Sequence, residues 1–212
     1  MNRLWTFGCS FTRGDGSLEQ DSYTSKFKLN EDDLSWPHLL ARQFNLTLNN
    51  KGESGISNET ILDNIILNWD SINEGDYVII GKTWSHRFDF PKYNDSLELK
   101  SIVYRGGEKD VKKWFDEATR DIYTPSQIEC IKTFSVEFAT QPAYYKRHDT
   151  RFNFIKKTLL EYKKVKLCHI WDVESKWNDF ELIVDATNKE INDYHWSFKG
   201  HKDFLNYLNQ FL

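Results

Sequence analysis

The sequence predicts an α/β fold in which a parallel, doubly wound sheet carries helices on its faces. Three observations point there. Strand-like and helix-like segments alternate from the first residues onward, as βαβ units do. Tyr77-Val78-Ile79-Ile80 is a continuous apolar run closed by Gly81, the signature of a strand buried on both faces. The chain has 212 residues, the length of one domain with room for one large elaboration.

The elements follow in order. Leu4 to Phe7 is the first strand, ended by Gly8, and a polar segment runs on to about Asp33. Ser35-Trp36-Pro37 opens a helix through Leu39, Leu40 and Phe44, with Ser as N-cap and Pro in the first turn. Leu46 to Asn49 is a short second strand. Asn58 is suited to cap a second helix, in which Ile61, Ile65, Ile66 and Trp69 recur at helical spacing. Tyr77 to Ile80 is the third strand. Beyond it the pattern blurs, with a turn at Gly106-Gly107 and helical stretches over Val111 to Ala118 and Ser126 to Phe138. Thr150 to Tyr162 is an amphipathic helix and Val165 to Trp171 the next strand. Phe180 to Val184 is a fifth short strand or an extended loop, and His201 to Phe211 a terminal helix. Residues 1–212 thus form one domain, elaborated at about 84–150.

Composition narrows the function classes. Aromatics reach 16% of residues, too rich for a disordered chain. A formal net charge of -4 argues against a dedicated nucleic-acid binder. Cys9, Cys130 and Cys168 lie far apart, so neither a paired-cysteine zinc site nor a disulfide framework is expected. No stretch approaches the roughly 18 apolar residues of a membrane span, and the N-terminus carries no apolar signal core. The expectation is a cytoplasmic protein without metal or cofactor.

Ligands of parallel α/β sheets bind beyond the carboxyl ends of the strands. Gly8-Cys9-Ser10-Phe11-Thr12 follows the first strand, Asn50 to Asn58 the second, and Gly81-Lys82-Thr83-Trp84 the third. Asn192-Asp193-Tyr194-His195-Trp196 precedes the last helix. These residue types permit acyl transfer. Ser10 on a tight turn is placed as nucleophile and His195, on a loop, as general base; Asp193 would hold the imidazole in the needed tautomer. Gly55 offers an unhindered N–H for an oxyanion hole.

Taken together, these blocks resemble the SGNH (GDSL-type) hydrolase superfamily. Phe7-Gly8-Cys9-Ser10-Phe11-Thr12 looks like its first block, with Cys9 where Asp is usual, and Gly52-Glu53-Ser54-Gly55 like its second. His195-Trp196-Ser197-Phe198-Lys199-Gly200-His201 is similar to its last block, H-x-S-x-x-G-H. The resemblance implies a flavodoxin-like, three-layer α/β/α sandwich of about five parallel strands. It also implies a serine esterase acting on small acyl esters, with O-acetyl groups on carbohydrate as the expected substrate. An O-acyltransferase using the same site is the close variant, and a non-catalytic binding or structural module the alternative from another class.

Two departures stand out. The family's third block reads G-x-N-D, but Thr83 occupies the Asn position here. Loss of one oxyanion donor costs about 2.7–4 kcal/mol in other enzymes, so Thr83 through its hydroxyl, or Asn58 from the second helix, is the candidate replacement. The last block usually reads D-x-x-H. Here Asn192 stands three residues before His195 and Asp193 two before, an arrangement similar to alginate-type O-acetyltransferases, so Asp193 is assigned as the orienting acid.

Rival chemistries fail on spacing. A C-x5-R phosphatase loop needs its Arg six residues after Cys9, whereas Arg13 comes four after, and a P-loop needs Gly where Arg13 stands. Cys9 therefore reads as a small buried neighbour of Ser10, and His201 as a packed helix residue. Trp84, Arg87 and the aromatics Trp114, Phe115, Tyr123, Tyr144 and Tyr145 form either a satellite core or a stacking wall for sugar rings, to which Trp196 would add.

Overall fold

The computed structural model describes residues 2–14, 35–85, 87–91, 99–103, 123–137, 142–180, 182–184 and 191–212. Along the chain run β1 (Arg3–Gly8), α1 (Ser10–Arg13), α2 (Trp36–Gln43), β2 (Thr47–Gly52), α3 (Asn58–Leu67) and β3 (Tyr77–Lys82). There follow β4 (Arg87–Pro91), β5 (Leu99–Val103), α4 (Pro125–Glu137), α5 (Pro142–Glu161) and β6 (Leu167–Asp172). The chain closes with α6 (Val173–Lys176), β7 (Leu182–Val184), β8 (Ile191–Trp196) and α7 (Phe198–Leu208).

Four strands, all parallel, form the central sheet in the order β2-β1-β3-β6. Parallel neighbours need crossover connections, and right-handed crossovers that run in opposite directions across the sheet, β1 to β2 and then β2 to β3, put helices on opposite faces. Accordingly α2 packs with α7, while α3 packs with α5. The result is a three-layer α/β/α arrangement with flavodoxin-like strand order, whose direction reverses between β1 and β3. Val78, Ile79 and Ile80 are fully buried, as their unbroken apolar run requires.

Local chemistry explains most boundaries. Ser35 precedes α2, with Pro37 in its first turn. At α3 the N-cap is Ser57, whose Oγ accepts from the Thr60 N–H at 3.2 Å; Asn58 is the first helical residue and faces inward instead. Asp89 of β4 reinforces this helix start, accepting from the Thr60 N–H (3.1 Å), the Thr60 hydroxyl (2.7 Å) and the Ser57 hydroxyl. A carboxylate there also opposes the positive end of the helix dipole. Glu59 ties α3 to α5 through His148 (2.6 Å) and Arg151 (3.2 Å). Burial alone would raise the Glu59 carboxyl, but the bond from His148 and the nearby cations outweigh it and hold the group below its ordinary value.

Two expectations are corrected here. The fifth strand forms at Leu182–Val184, yet it pairs antiparallel with β8 in a separate two-stranded sheet and does not extend the parallel one. The His195 segment is not a loop: it is β8 itself. A second antiparallel pair, β4-β5, lies within the 84–150 stretch, as does α4. The predicted turn at Gly106-Gly107 and helix over Val111 to Ala118 lie outside the described residues, as do Trp114 and Phe115.

Candidate active site

The β1/β3 reversal is where open α/β sheets leave a crevice at the carboxyl ends of their strands. Ser10 enters immediately after β1, as the first residue of α1, and is 3% exposed. A helix of four residues has no intrinsic stability to speak of, so its position comes from its surroundings. Three glycines let it settle onto the strand ends. A Cβ on Gly8 would lie 2.2 Å from Thr12 Oγ1, one on Gly52 2.3 Å from the Arg13 nitrogen, and one on Gly81 2.9 Å from Thr12 Oγ1.

The carbonyls of α1 are all accounted for. Ser10 O accepts from the Gly14 N–H (2.9 Å), with Gly14 in the left-handed conformation that ends helices. Phe11 O accepts from the Trp36 indole at 2.9 Å. Thr12 O and Arg13 O both accept from Asn50 Nδ2, at 3.1 and 3.3 Å. At the other end, the Cys9 carbonyl receives the Thr12 and Arg13 N–H groups, and the Cys9 side chain is fully buried, as expected.

His195 lies one residue from the end of β8. β7 and β8 pair Leu182 with Trp196 and Ile183 with Asp193, so Tyr194 and His195 are looped out of the register between them. Bulges of this kind re-aim side chains and recur beside active sites. The His195 ring lies 5.3 Å from that of Phe11, the residue next to Ser10, and α1 packs directly on β8. Asp193 is placed by its backbone in β8, while its side chain lies outside the described residues. The rest of the last motif is structural. Ser197 caps α7 through the Gly200 N–H (3.2 Å), and His201 is fully buried with its ring 5.7 Å from Trp196.

Trp196 is corrected as a wall candidate. It is fully buried, stacked on Trp171 at 5.4 Å and packed against Phe204 at 4.8 Å, so no substrate reaches it. Trp84 is half-buried, 5.6 Å from the Phe11 ring, and the Arg87 guanidinium sits 4.7 Å over its ring. Arg87 is itself 9% exposed and bonded to Ile56 O at 3.4 Å, while Tyr123 is buried. The side chains of Tyr144 and Tyr145 lie outside the described residues.

Gly55 sits on the turn after β2 at φ +79°, a conformation only glycine adopts without strain, with no atom within 4 Å of where a Cβ would be. Arg13 Nη1 donates to Ser54 Oγ at 3.1 Å, joining this turn to α1. Thr83 is buried. Its N–H donates to Asn58 Oδ1 (2.9 Å) and its carbonyl accepts from Asn58 Nδ2 (3.1 Å). The Asn58 amide is thus engaged in holding Thr83, whose buried hydroxyl has no hydrogen-bond partner among the described residues. Beside it, Lys82 clamps β3, β6 and α5 together through Asp149 (2.7 Å) and Asp172 (2.9 Å). Burial lowers the Lys82 ammonium, but these two carboxylates outweigh it and raise the group above its ordinary value.

Among the described residues no cluster of three or more His, Cys, Asp or Glu side chains is placed to hold a metal ion, and no helix is long and apolar enough to cross a membrane. The positioning side chains Asn50 and Trp36 were not singled out from sequence. An Asn in a polar edge strand and a Trp in a first helical turn look like any others.

No protein-family model matches the chain, and no curated protein does. Among solved structures the chain is similar to several. A G-D-S-L family lipolytic protein from Desulfitobacterium hafniense is 15% identical over 100% of both chains, with a TM-score of 0.39. The native aryl esterase of M. smegmatis is 15% identical over 100% of both chains, with a TM-score of 0.40. A carbohydrate acetylesterase from Sinorhizobium meliloti is 12% identical over 100% of both chains, also at 0.40.

Proposed function

We propose that the protein is a serine esterase that removes small acyl groups, O-acetyl esters of carbohydrate foremost. One observation carries the reading: the residue following Ser10 packs its ring 5.3 Å from that of His195, at the reversal point of the sheet. This supports a nucleophile and a base meeting at the end of the molecule where such folds bind ligands.

In the proposed mechanism Ser10 Oγ attacks the ester carbonyl carbon while His195 takes its proton. The carbonyl oxygen becomes an oxyanion, held by the N–H groups of Ser10 and Gly55 with the Thr83 hydroxyl as third donor. Collapse of the tetrahedral species breaks the ester bond, and the imidazolium returns the proton to the departing alcohol. Water, deprotonated by His195, then attacks the acyl carbon; its bond to Ser10 Oγ breaks, the imidazolium returns the proton to that oxygen, and the carboxylate leaves. Asp193 holds the imidazole and stabilises its cationic form. A sugar hydroxyl in place of water turns the same cycle into O-acyl transfer. Trp84 is the wall against which a sugar ring would stack, with Arg87 behind it.

The test is labelling by a serine-directed fluorophosphonate, with hydrolysis of an aryl acetate in parallel. Covalent labelling in the native chain, absent in Ser10→Ala, is expected. Equal labelling of the two, or none in either with no hydrolysis, overturns the reading in favour of a non-catalytic module. A panel of acetylated glycans, with and without acceptor sugar, then separates hydrolysis from transfer.

A further inference from the structure

The side chain of Asn50 has a task that no sequence motif indicates. It stands opposite Thr6 in the β1-β2 register, and its amide is fully used. Oδ1 accepts from the Thr6 hydroxyl (2.9 Å) and from the Gly52 N–H (2.9 Å). Nδ2 donates to Thr12 O (3.1 Å) and Arg13 O (3.3 Å). Exchanging oxygen and nitrogen would set Nδ2 against the Gly52 N–H, so the bonding itself fixes the orientation of the amide. The two halves serve different ends. The acceptor half joins β1 to the end of β2. The donor half holds the carboxyl end of α1, the single turn that starts at Ser10.

We propose that Asn50 is a positioning residue for catalysis: it sets the Ser10 turn against the turn that carries Gly55. The inference rests on the esterase reading above. Last-turn carbonyls lack intrahelical partners, and in α1 two of the four are held by this one side chain. Asn50 touches neither substrate nor reacting atoms. It acts through the placement of Ser10 relative to the oxyanion donors, where displacement by about 1 Å costs on the order of 10²-fold in rate.

The experiment compares Asn50→Ala, Asn50→Asp and Thr6→Val in the full chain, using fluorophosphonate labelling rate, aryl acetate kcat and KM, and thermal midpoint. Asn50→Asp keeps both acceptor bonds but cannot donate to Thr12 O and Arg13 O. Thr6→Val removes one acceptor-side bond and leaves α1 tethered. Expected are labelling rate and kcat lower by about 10²-fold in both Asn50 variants, with KM little changed. Thr6→Val should lose stability and keep its rate. Wild-type rates in Asn50→Asp overturn the inference, and so does a rate loss in Thr6→Val equal to that of the Asn50 variants. If both Asn50 variants fail to fold while Thr6→Val is folded and active, Asn50 is a residue of global stability and the inference falls. Absence of Ser10-dependent labelling in the wild type overturns the esterase reading itself, and this inference with it.

Discussion

Gly52→Ala is the sharpest test of how the nucleophile turn is held. The position has ordinary negative φ, so alanine meets no torsional strain; what it meets is backbone. The new Cβ would lie 2.3 Å from the Arg13 nitrogen and 2.7 Å from Arg13 Cα and the Thr12 carbonyl carbon, against 3.4 Å or more for ordinary contact. These atoms belong to the main chain of α1 and cannot rotate away, so the turn must recede by about 1 Å, which is worth about 10²-fold in kcat if Ser10 moves with it. Overpacking of this kind costs about 1–3 kcal/mol, and each kcal/mol lowers the melting temperature by roughly 2–4 °C in a chain of this size. The assay is aryl acetate turnover beside a thermal melt. Gly55→Ala is the contrast, because nothing lies within 4 Å of its Cβ and the cost is φ +79° alone, about 1–2 kcal/mol. Wild-type turnover and melting in Gly52→Ala would refute the reasoning.

Three further outcomes are expected. Asn58→Ala strands the buried N–H and carbonyl of Thr83; a loss of about 1–3 kcal/mol in urea unfolding follows, and an unchanged midpoint would contradict the clamp. His169, pushed down to about 4 by burial and then by the charge of Lys156, refuses a proton that the unfolded chain accepts. Its contribution to stability is therefore full above the ordinary histidine value near 6.5 and lost as pH falls toward 4. The difference in urea midpoint between pH 7 and pH 5 should shrink in His169→Phe, and an identical difference would be evidence against it. Cys130 is exposed, whereas Cys9 is buried and burial pushes the Cys168 thiol up to about 12. Iodoacetamide at pH 8 should add one equivalent to the folded protein and three in urea, as counted by mass; a second equivalent on the folded chain would break the expectation.

How far the sequence could be read depended on where each segment's free energy comes from. β3 was plain because a strand buried on both faces must be apolar throughout, and β1 because Gly8 ends a run of buried side chains. β2 was blurred: as an edge strand reading Thr-Leu-Asn-Asn-Lys-Gly it is partly exposed along its length, and only Leu48, with Leu46 just ahead of the strand, announced it. β8 was missed since Asn-Asp-Tyr has turn-like composition, and its strand form depends on pairing with β7, which local sequence does not encode. The positions proposed as nucleophile and base were legible as motif blocks. Asn50 was not, because its value arises only where β1, β2 and α1 converge. Trp196 shows the opposite failure. Its place beside His195 suggested contact with ligand, but strand-to-helix geometry turns it into the core between Trp171 and Phe204.

The partners of the α1 carbonyls govern how the molecule comes into being. One turn of helix beginning at Ser10 borrows its partners from residue 36 in α2 and residue 50 in β2. A nascent chain that has emerged only through β1 cannot present its serine in this shape. The proposed site therefore has no precursor in the local structure of its own segment and arises together with long-range strand pairing, the slow kind of closure. Recovery of fluorophosphonate reactivity during refolding would accordingly track global assembly, and a truncated or half-folded chain would carry a silent serine.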